Sequence, residues 1–354
     1  MGISLGKQVT AAFRAPFRRV VVTGGCGFLG SHLCDLLLDS GAEVVCVDNF
    51  LTGTADNVAH RRSEDRFELL VHDVTDRLSI PGSVDLVLHL ASPASPQDYL
   101  RLPVQTLQAG SQGTLNALEL ARQKKARFVL ASTSEVYGDP LQHPQRESYW
   151  GNVNPVGPRS VYDEAKRFAE AATTAYCTEY GVDTAIVRIF NTFGPRMRAE
   201  DGRAVPTFIR QALAGEPLTV TGDGSQTRSL CYVDDTVRGI LAAAAGCHTG
   251  PVNLGNPVET TVLDLARLVR ELCGSASQIE FVARPIDDPG RRRPDITLAW
   301  EQFGWKPETN PRKGLSTTVG WFAMQLTRSA AKAMAQPAAR STDSSRPSLA
   351  PRGT

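Results

Sequence analysis

A β-branched run, Arg19-Val20-Val21-Val22-Thr23, stops at a pair of glycines, and the spacing Gly24-x-x-Gly27-x-x-Gly30 then opens an apolar helical stretch from Phe28 to Leu38. Strand, glycine turn and helix in that order tightly restrict what the chain can fold into. The first glycine permits the sharp turn, the second lets backbone amides approach a pyrophosphate, and the third allows the helix to pack closely. The free N–H groups at the helix start then receive anionic charge.

The same alternation continues. Glu43 to Val47 reads as a second strand ending at Asp48, Phe67 to Val71 as a third ending at Asp73, and Val84 to Leu90 as a fourth. Val104 to Gln123 reads as a helix, Arg127 to Ala131 as a strand, Tyr162 to Tyr180 as a helix and Thr184 to Ile189 as a sixth strand. Strands alternating with helices of this length give an α/β class, a Rossmann-like doubly wound parallel sheet with ligands beyond the carboxyl ends of the strands. A smaller C-terminal substrate-binding domain is expected to follow. The expected limits are a leader over 1–18, a nucleotide domain over 19–193 with 233–260 packing back on it, a cap built from 194–232 and 261–325, and a disordered tail over 326–354.

Asp48 closes the second strand, where a carboxylate accepts hydrogens from both ribose hydroxyls of adenosine and repels a 2′-phosphate. Asn49 brings no neutralising charge, so the preference is NAD over NADP. Asp73-Val74 ends the next strand, where it can cradle adenine. The balance of 38 Lys and Arg against 37 Asp and Glu gives no argument for nucleic acid as a partner. Seven cysteines lie scattered without metal-ligand spacing, so no metal is expected and reduced thiols in a cytoplasmic protein are. No apolar run is long enough for a transmembrane segment.

A second polar cluster states what the cofactor is used for. Tyr162 and Lys166, four apart in a helical stretch, project from one face. A tyrosine phenolate takes a carbinol proton as hydride leaves if nearby positive charge lowers its pKa, and Lys166 supplies such a charge. Thr133, or Ser132, can donate to the same oxygen. Glu135 sits at a strand end beside these hydroxyls.

Together these segments resemble an extended short-chain dehydrogenase/reductase, and within that group the UDP-glucuronic acid decarboxylases, or UDP-xylose synthases. The stretches that carry the resemblance include His89 to Gln97, Leu130 to Leu141, Tyr149 to Ser160, Tyr162 to Phe168, Arg188 to Met197, Gly224 to Arg228 and Arg292 to Ile296. Thr133-Ser134-Glu135 is the sharpest local discriminator. Related nucleotide-sugar 4,6-dehydratases usually carry Asp where Ser134 stands, and a neutral serine avoids repelling a C6 carboxylate. The resemblance implies NAD-dependent decarboxylation of UDP-glucuronate to UDP-xylose and carbon dioxide through a UDP-4-keto sugar, with NAD regenerated. It places Thr133, Ser134, Glu135, Tyr162, Lys166 and Arg292 at the chemistry. Phe28, Leu29, Asn49, Phe50, Thr52, Gly53, Leu90, Ser92, Thr192 and Arg203 join Gly24, Gly27, Gly30, Asp48, Asp73 and Val74 on the cofactor. Asn191, Val205, Phe208 and Arg228, with Asn116 and Arg122, are expected to contact substrate.

The resemblance further implies a homodimer through the helices near Val104 to Gln123 and Tyr162 to Tyr180, with Leu107, Leu115, Leu118, Phe168 and Ala172 as apolar surface or as residues facing the sheet. Gln108, Ala109 and Gly110 stand where close relatives usually show Lys, Thr and Asn, which removes a charge partner for substrate. A UDP-sugar 4-epimerase is the nearest enzymatic alternative. A non-catalytic NAD-binding regulatory protein is the alternative of another class.

Overall fold

The glycine turn organises a single seven-stranded sheet. In a computed structural model of the chain, which describes residues 16–284 and 290–335, its strands are β1 (Arg19–Thr23), β2 (Glu43–Asp48), β3 (Phe67–Val71), β4 (Leu86–His89), β5 (Arg127–Thr133), β6 (Thr184–Ile189) and β7 (Pro251–Leu254). They lie in the order β7-β6-β5-β4-β1-β2-β3, and every pairing is parallel. The order reverses between β1 and β4, the switch point where such sheets bind ligands.

Two apolar layers sandwich the sheet. Val20 and Val22 point into a layer with Leu33 and Leu37 of α1 (Phe28–Asp39) and with Val237, Ile240 and Leu241 from a later helix. Val21 faces the opposite layer with Ala117 and Leu118, and with Ala169 and Ala172. The alternation along β1 is the period-two pleat, and burial on both faces explains its uninterrupted valines. Leu118 and Ala172 therefore face the sheet, while Leu107 and Phe168 remain exposed.

The helices of the second layer are α4 (Thr114–Lys124) and α5 (Ser160–Tyr180), with α2 (Pro96–Arg101) and α3 (Pro103–Gln108) packed on α5. Between α3 and α4 the backbone makes a π turn over Ala109–Gly113. A Cβ added to Gly110 would stand 2.6 Å from the Cβ of Ala165, so this turn lies directly against α5 between Tyr162 and Lys166. Turns of this kind concentrate at functional sites.

Beyond β6 come α6 (Ala204–Ala214), α7 (Val233–Ala245), α8 (Val262–Leu272), α9 (Thr297–Phe303) and α10 (Pro311–Ala335). A third cluster joins Phe208 and Ile209 of α6 with Leu265 and Val269 of α8 and with Leu315 and Phe322 of α10. Beside it, Leu218–Thr221 pairs in parallel with Ile279–Val282. This is the additional C-terminal part of the fold. By contrast, α7 packs on α1, β5 and β6, and β7 joins the main sheet.

The tail departs from expectation. Residues 326–335, expected to be disordered, continue α10 as helix. The segment is rich in alanine, whose high helix propensity sustains a helix where no apolar period is visible. The rest of the expected tail, 336–354, lies outside the described residues, as does the expected leader up to residue 15. Phe17 already packs against the first apolar layer.

Candidate active site

Beyond the carboxyl ends of the strands, and walled on the far side by α6 and α8, lies a cavity of about 880 Å³. At its nucleotide end Gly24 has φ +70°, and a Cβ there would sit 2.8 Å from the backbone nitrogen of Ala91. Gly27 caps α1 without a side-chain hydrogen bond, which leaves helix N–H groups open to an anion. Asp48 is buried and accepts from the N–H of Cys26 at 2.9 Å and of Phe50 at 2.8 Å. Burial pushes its carboxyl above the ordinary range although those N–H groups oppose the change. Each oxygen keeps a second lone pair for a ribose hydroxyl. Asn49 donates to Asp73 at 2.8 Å, and Asp73 accepts from both the N–H and the hydroxyl of Thr75. An open helix end, a close backbone approach and an acceptor carboxylate form a donor set that fits a nicotinamide dinucleotide.

The reacting end is held by β5 and α5. Thr133, the last residue of β5, caps the turn Ser134–Tyr137 by accepting from the N–H of Glu135 at 3.2 Å. Ser132 is committed elsewhere, donating to Glu170 at 2.6 Å. Burial pushes Tyr162 up to about 12, with a hydrogen bond to Thr133 acting in the other direction. Lys166 donates to the carbonyl of Ala131 at 2.9 Å and lies 5.9 Å from the Tyr162 ring centroid. Burial lowers Lys166 to about 8.

Glu135 is gripped from two sides. One oxygen pairs with Arg292 and the other with Arg159 at 2.6 Å. Burial would raise its carboxyl, but the two guanidinium groups prevail and hold it below the ordinary carboxylate range. Arg292 is 2% exposed and also donates to the carbonyl of Gly138 at 2.8 Å. Asp163 lies buried behind this group with Oδ1 lacking a hydrogen-bond partner, and burial together with the charge of Glu135 raises it.

Most of the expected site residues line this one cavity. Gly24, Gly27, Phe28, Leu29, Gly30, Asp48, Asn49, Thr52, Gly53, Asp73, Val74, Leu90, Ser92, Thr192 and Arg203 do so toward the nucleotide loop and its surroundings, and Asn191, Val205, Phe208 and Arg228 toward α6 and α8. Three residues do not line it. The Phe50 ring packs against the apolar layer beside α1, so only its N–H serves Asp48. Asn116 spends its amide on the carbonyls of Val74, Thr75 and Asp76. Arg122, in the last turn of α4, pairs with Glu119 at 2.8 Å and lies over the Tyr180 ring.

Among the wall residues that escaped the sequence, two stand beside Tyr162. Arg159 stands one helical turn before Tyr162, a spacing that could have flagged it. Tyr99 stacks on Tyr162 with ring centroids 5.2 Å apart and planes within 6°, from a helix whose approach has no sequence signature.

Fold and site together define a nucleotide-binding α/β scaffold with a buried Tyr/Lys pair in the cavity beside its glycine loop. Residues 20–255 match the profile of the NAD dependent epimerase/dehydratase family, and the chain belongs to that family as an extended short-chain dehydrogenase/reductase. It is 52% identical over 308 residues to UDP-glucuronic acid decarboxylase 1 of Arabidopsis thaliana, covering 87% of this chain and 70% of that one. Among solved structures, UDP-glucose 4-epimerase of Thermotoga maritima, with UDP-glucose, aligns with a TM-score of 0.80 at 29% identity over 87% of this chain and 99% of that one. A UDP-glucuronic acid 4-epimerase variant of Bacillus cereus, in complex with a 4-deoxy-4-fluoro analogue and NAD, aligns at 0.78 with 27% identity over 87% and 99%.

Proposed function

We propose that this chain is an NAD-dependent UDP-glucuronate decarboxylase that forms UDP-xylose and carbon dioxide and ends each cycle with its cofactor unchanged. The observation that carries the reading is the Arg159–Glu135–Arg292 group beside the neutral Ser134. Two guanidinium groups against one carboxylate leave positive charge, which Asp163, raised by burial and by Glu135, offsets only in part and which complements a carboxylate on a sugar. Half-sequence identity to a decarboxylase supports the same conclusion.

The residues divide the work. When bound, NAD supplies the hydride acceptor and donor for the sugar C4 and a positive nicotinamide charge that joins Lys166 in favouring the Tyr162 phenolate. Tyr162 then takes the C4 hydroxyl proton while Thr133 donates to the same oxygen. A ketone at C4 lies β to the C6 carboxylate, so the electrons of the C5–C6 bond have a sink as carbon dioxide leaves. Ser134 flanks the departing carboxylate without adding charge. Glu135, kept ionised by its arginines, is an acceptor that orients the proton source for C5 and not a stored acid. Arg292 balances the negative charge that develops there, and Arg228 supplies a phosphate-pairing fork.

The seven unpaired cysteines support a reducing, cytoplasmic setting. No helix among the described residues is long and apolar enough to cross a membrane. Exposed Val104, Leu107 and Phe168 on α3 and α5 support pairing of two copies through these helices.

The test is to follow UDP-glucuronate by NMR with purified protein and NAD. Stoichiometric carbon dioxide and UDP-xylose without NADH accumulation are expected. UDP-galacturonate would instead establish 4-epimerisation, a reading the two aligned epimerases favour. Unchanged substrate with cofactor bound would make the chain a non-catalytic NAD-binding protein.

A further inference from the structure

Arg292 belongs to no helix or strand. It sits in the segment 290–296, which among the described residues has one isolated bridge, Gln145 to Pro294, as its regular structure. Its guanidinium nevertheless meets Glu135 and Gly138 from a nearly fully buried position. Something must fix the backbone that carries it, because each freely rotating bond would spread the guanidinium over several positions.

Gln145 provides the hold. Its N–H donates to the carbonyl of Arg293 at 2.9 Å, and its own carbonyl accepts from the N–H of Asp295 at 2.8 Å. Its side-chain oxygen accepts from the N–H of Arg293 at 2.8 Å. Both backbone groups of the residue next to Arg292 are thus taken by Gln145. The amide nitrogen donates to the carbonyl of Gln142 at 2.7 Å, which leaves the side chain one orientation that satisfies both ends. Gln145 is 1% exposed, so neither bond exchanges with water. The grip is itself anchored to the sheet. Asn253 of β7 donates to the carbonyls of Gln145 and Asp295, each at 3.1 Å, and accepts from the Tyr137 hydroxyl at 2.8 Å.

We infer that Gln145 is a positioning residue for the reaction, acting through Arg292: its amide sets the segment that delivers the guanidinium to Glu135. This rests on the decarboxylase reading for the role of Arg292, and on geometry alone for the link between the two residues. Gln145 itself touches neither the cavity nor the Tyr162 side chain.

A double-mutant cycle tests the link. Gln145→Met is nearly isosteric and removes both amide bonds, and Arg292→Met removes the guanidinium. Each single change is expected to slow carbon dioxide release by roughly tenfold or more, the range for residues sharing one network, and the double variant to be no slower than Arg292→Met alone. Affinity for NADH and for UDP-xylose should stay within a factor of about two in Gln145→Met. Losses that multiply in the double variant, or NADH and UDP-xylose affinities that fall in step with turnover, would overturn the inference and make Gln145 a fold-stabilising residue only. If the wild-type protein releases no carbon dioxide, the decarboxylase reading fails separately. The cycle is then read from UDP-glucuronate affinity by calorimetry, where the same non-additivity supports the link and additivity refutes it.

Discussion

At the scale of single residues, the site is governed by charges taken out of water. Tyr162 is a neutral phenol that burial makes harder still to ionise, pushing it up to about 12. On the proposed function, Tyr162→Phe removes the group that takes the C4 hydroxyl proton, so turnover should fall by about 10²–10⁴-fold, the usual worth of a positioned acid–base group. NADH binding, followed by fluorescence, should be preserved; near-normal turnover would remove Tyr162 from that role. Lys166 gives a pH signature. Its proton is lost near pH 8 when folded and near 10.5 when unfolded. Below pH 8 its buried charge therefore costs stability, and the cost recedes as pH rises toward 10.5, because the unfolded chain then holds the extra proton. Activity should move oppositely, declining above about pH 8 as the cation that favours the phenolate is lost. A pH–rate profile beside a pH–stability profile, each compared with Lys166→Met, checks both signs; profiles that Lys166→Met leaves unaltered would contradict the assignment.

At the scale of elements, the π turn packs closely against α5 beside Tyr162 and Lys166. Gly110→Ala would place a methyl 2.6 Å from the Ala165 Cβ, closer than carbon atoms approach. Overpacking of this sort costs about 1–3 kcal/mol, which thermal denaturation would register. Ala165→Gly removes the opposing methyl at a helix-interior cost of roughly 0.5–1 kcal/mol, so the pair Gly110→Ala with Ala165→Gly should lose less than the sum of the two single changes; strictly additive losses would show that the strain lies elsewhere. This contact also marks the limit of what could be read from the chain. The strands, α1 and the Tyr162/Lys166 face were legible because they follow local periods and a motif with its own geometry. Gln145 was not, since its partner Arg293 is distant in sequence, and Arg159 had only its spacing from Tyr162 to mark it, its partner Glu135 lying on another element. Asn116 and Arg122 carried the right chemistry for a ligand, but nearer carbonyls and Glu119 claim it. The extension of α10 through 326–335 was missed because alanine propensity, unlike an apolar stripe, leaves no periodic trace.

At the scale of the whole molecule, Leu107 and Phe168 are 42% and 44% exposed on neighbouring helices, with Val104 at 59%. Sedimentation should show two copies associated at micromolar concentration, and Leu107→Glu with Phe168→Glu should yield single copies with NAD binding intact. A wild-type protein that sediments as one chain throughout would refute the pairing. Most of residues 194–232 leave the nucleotide-binding core, 233–254 return to it as α7 and β7, α8 leaves again, α9 with Trp305 packs back on the core, and α10 ends in the outer lobe. No single scission can divide such a path into two self-sufficient pieces. A fragment ending near residue 193 would expose the open edge of β6 and the apolar groove that α7 fills, and so should aggregate instead of folding. The lobes are therefore expected to melt as one cooperative unit.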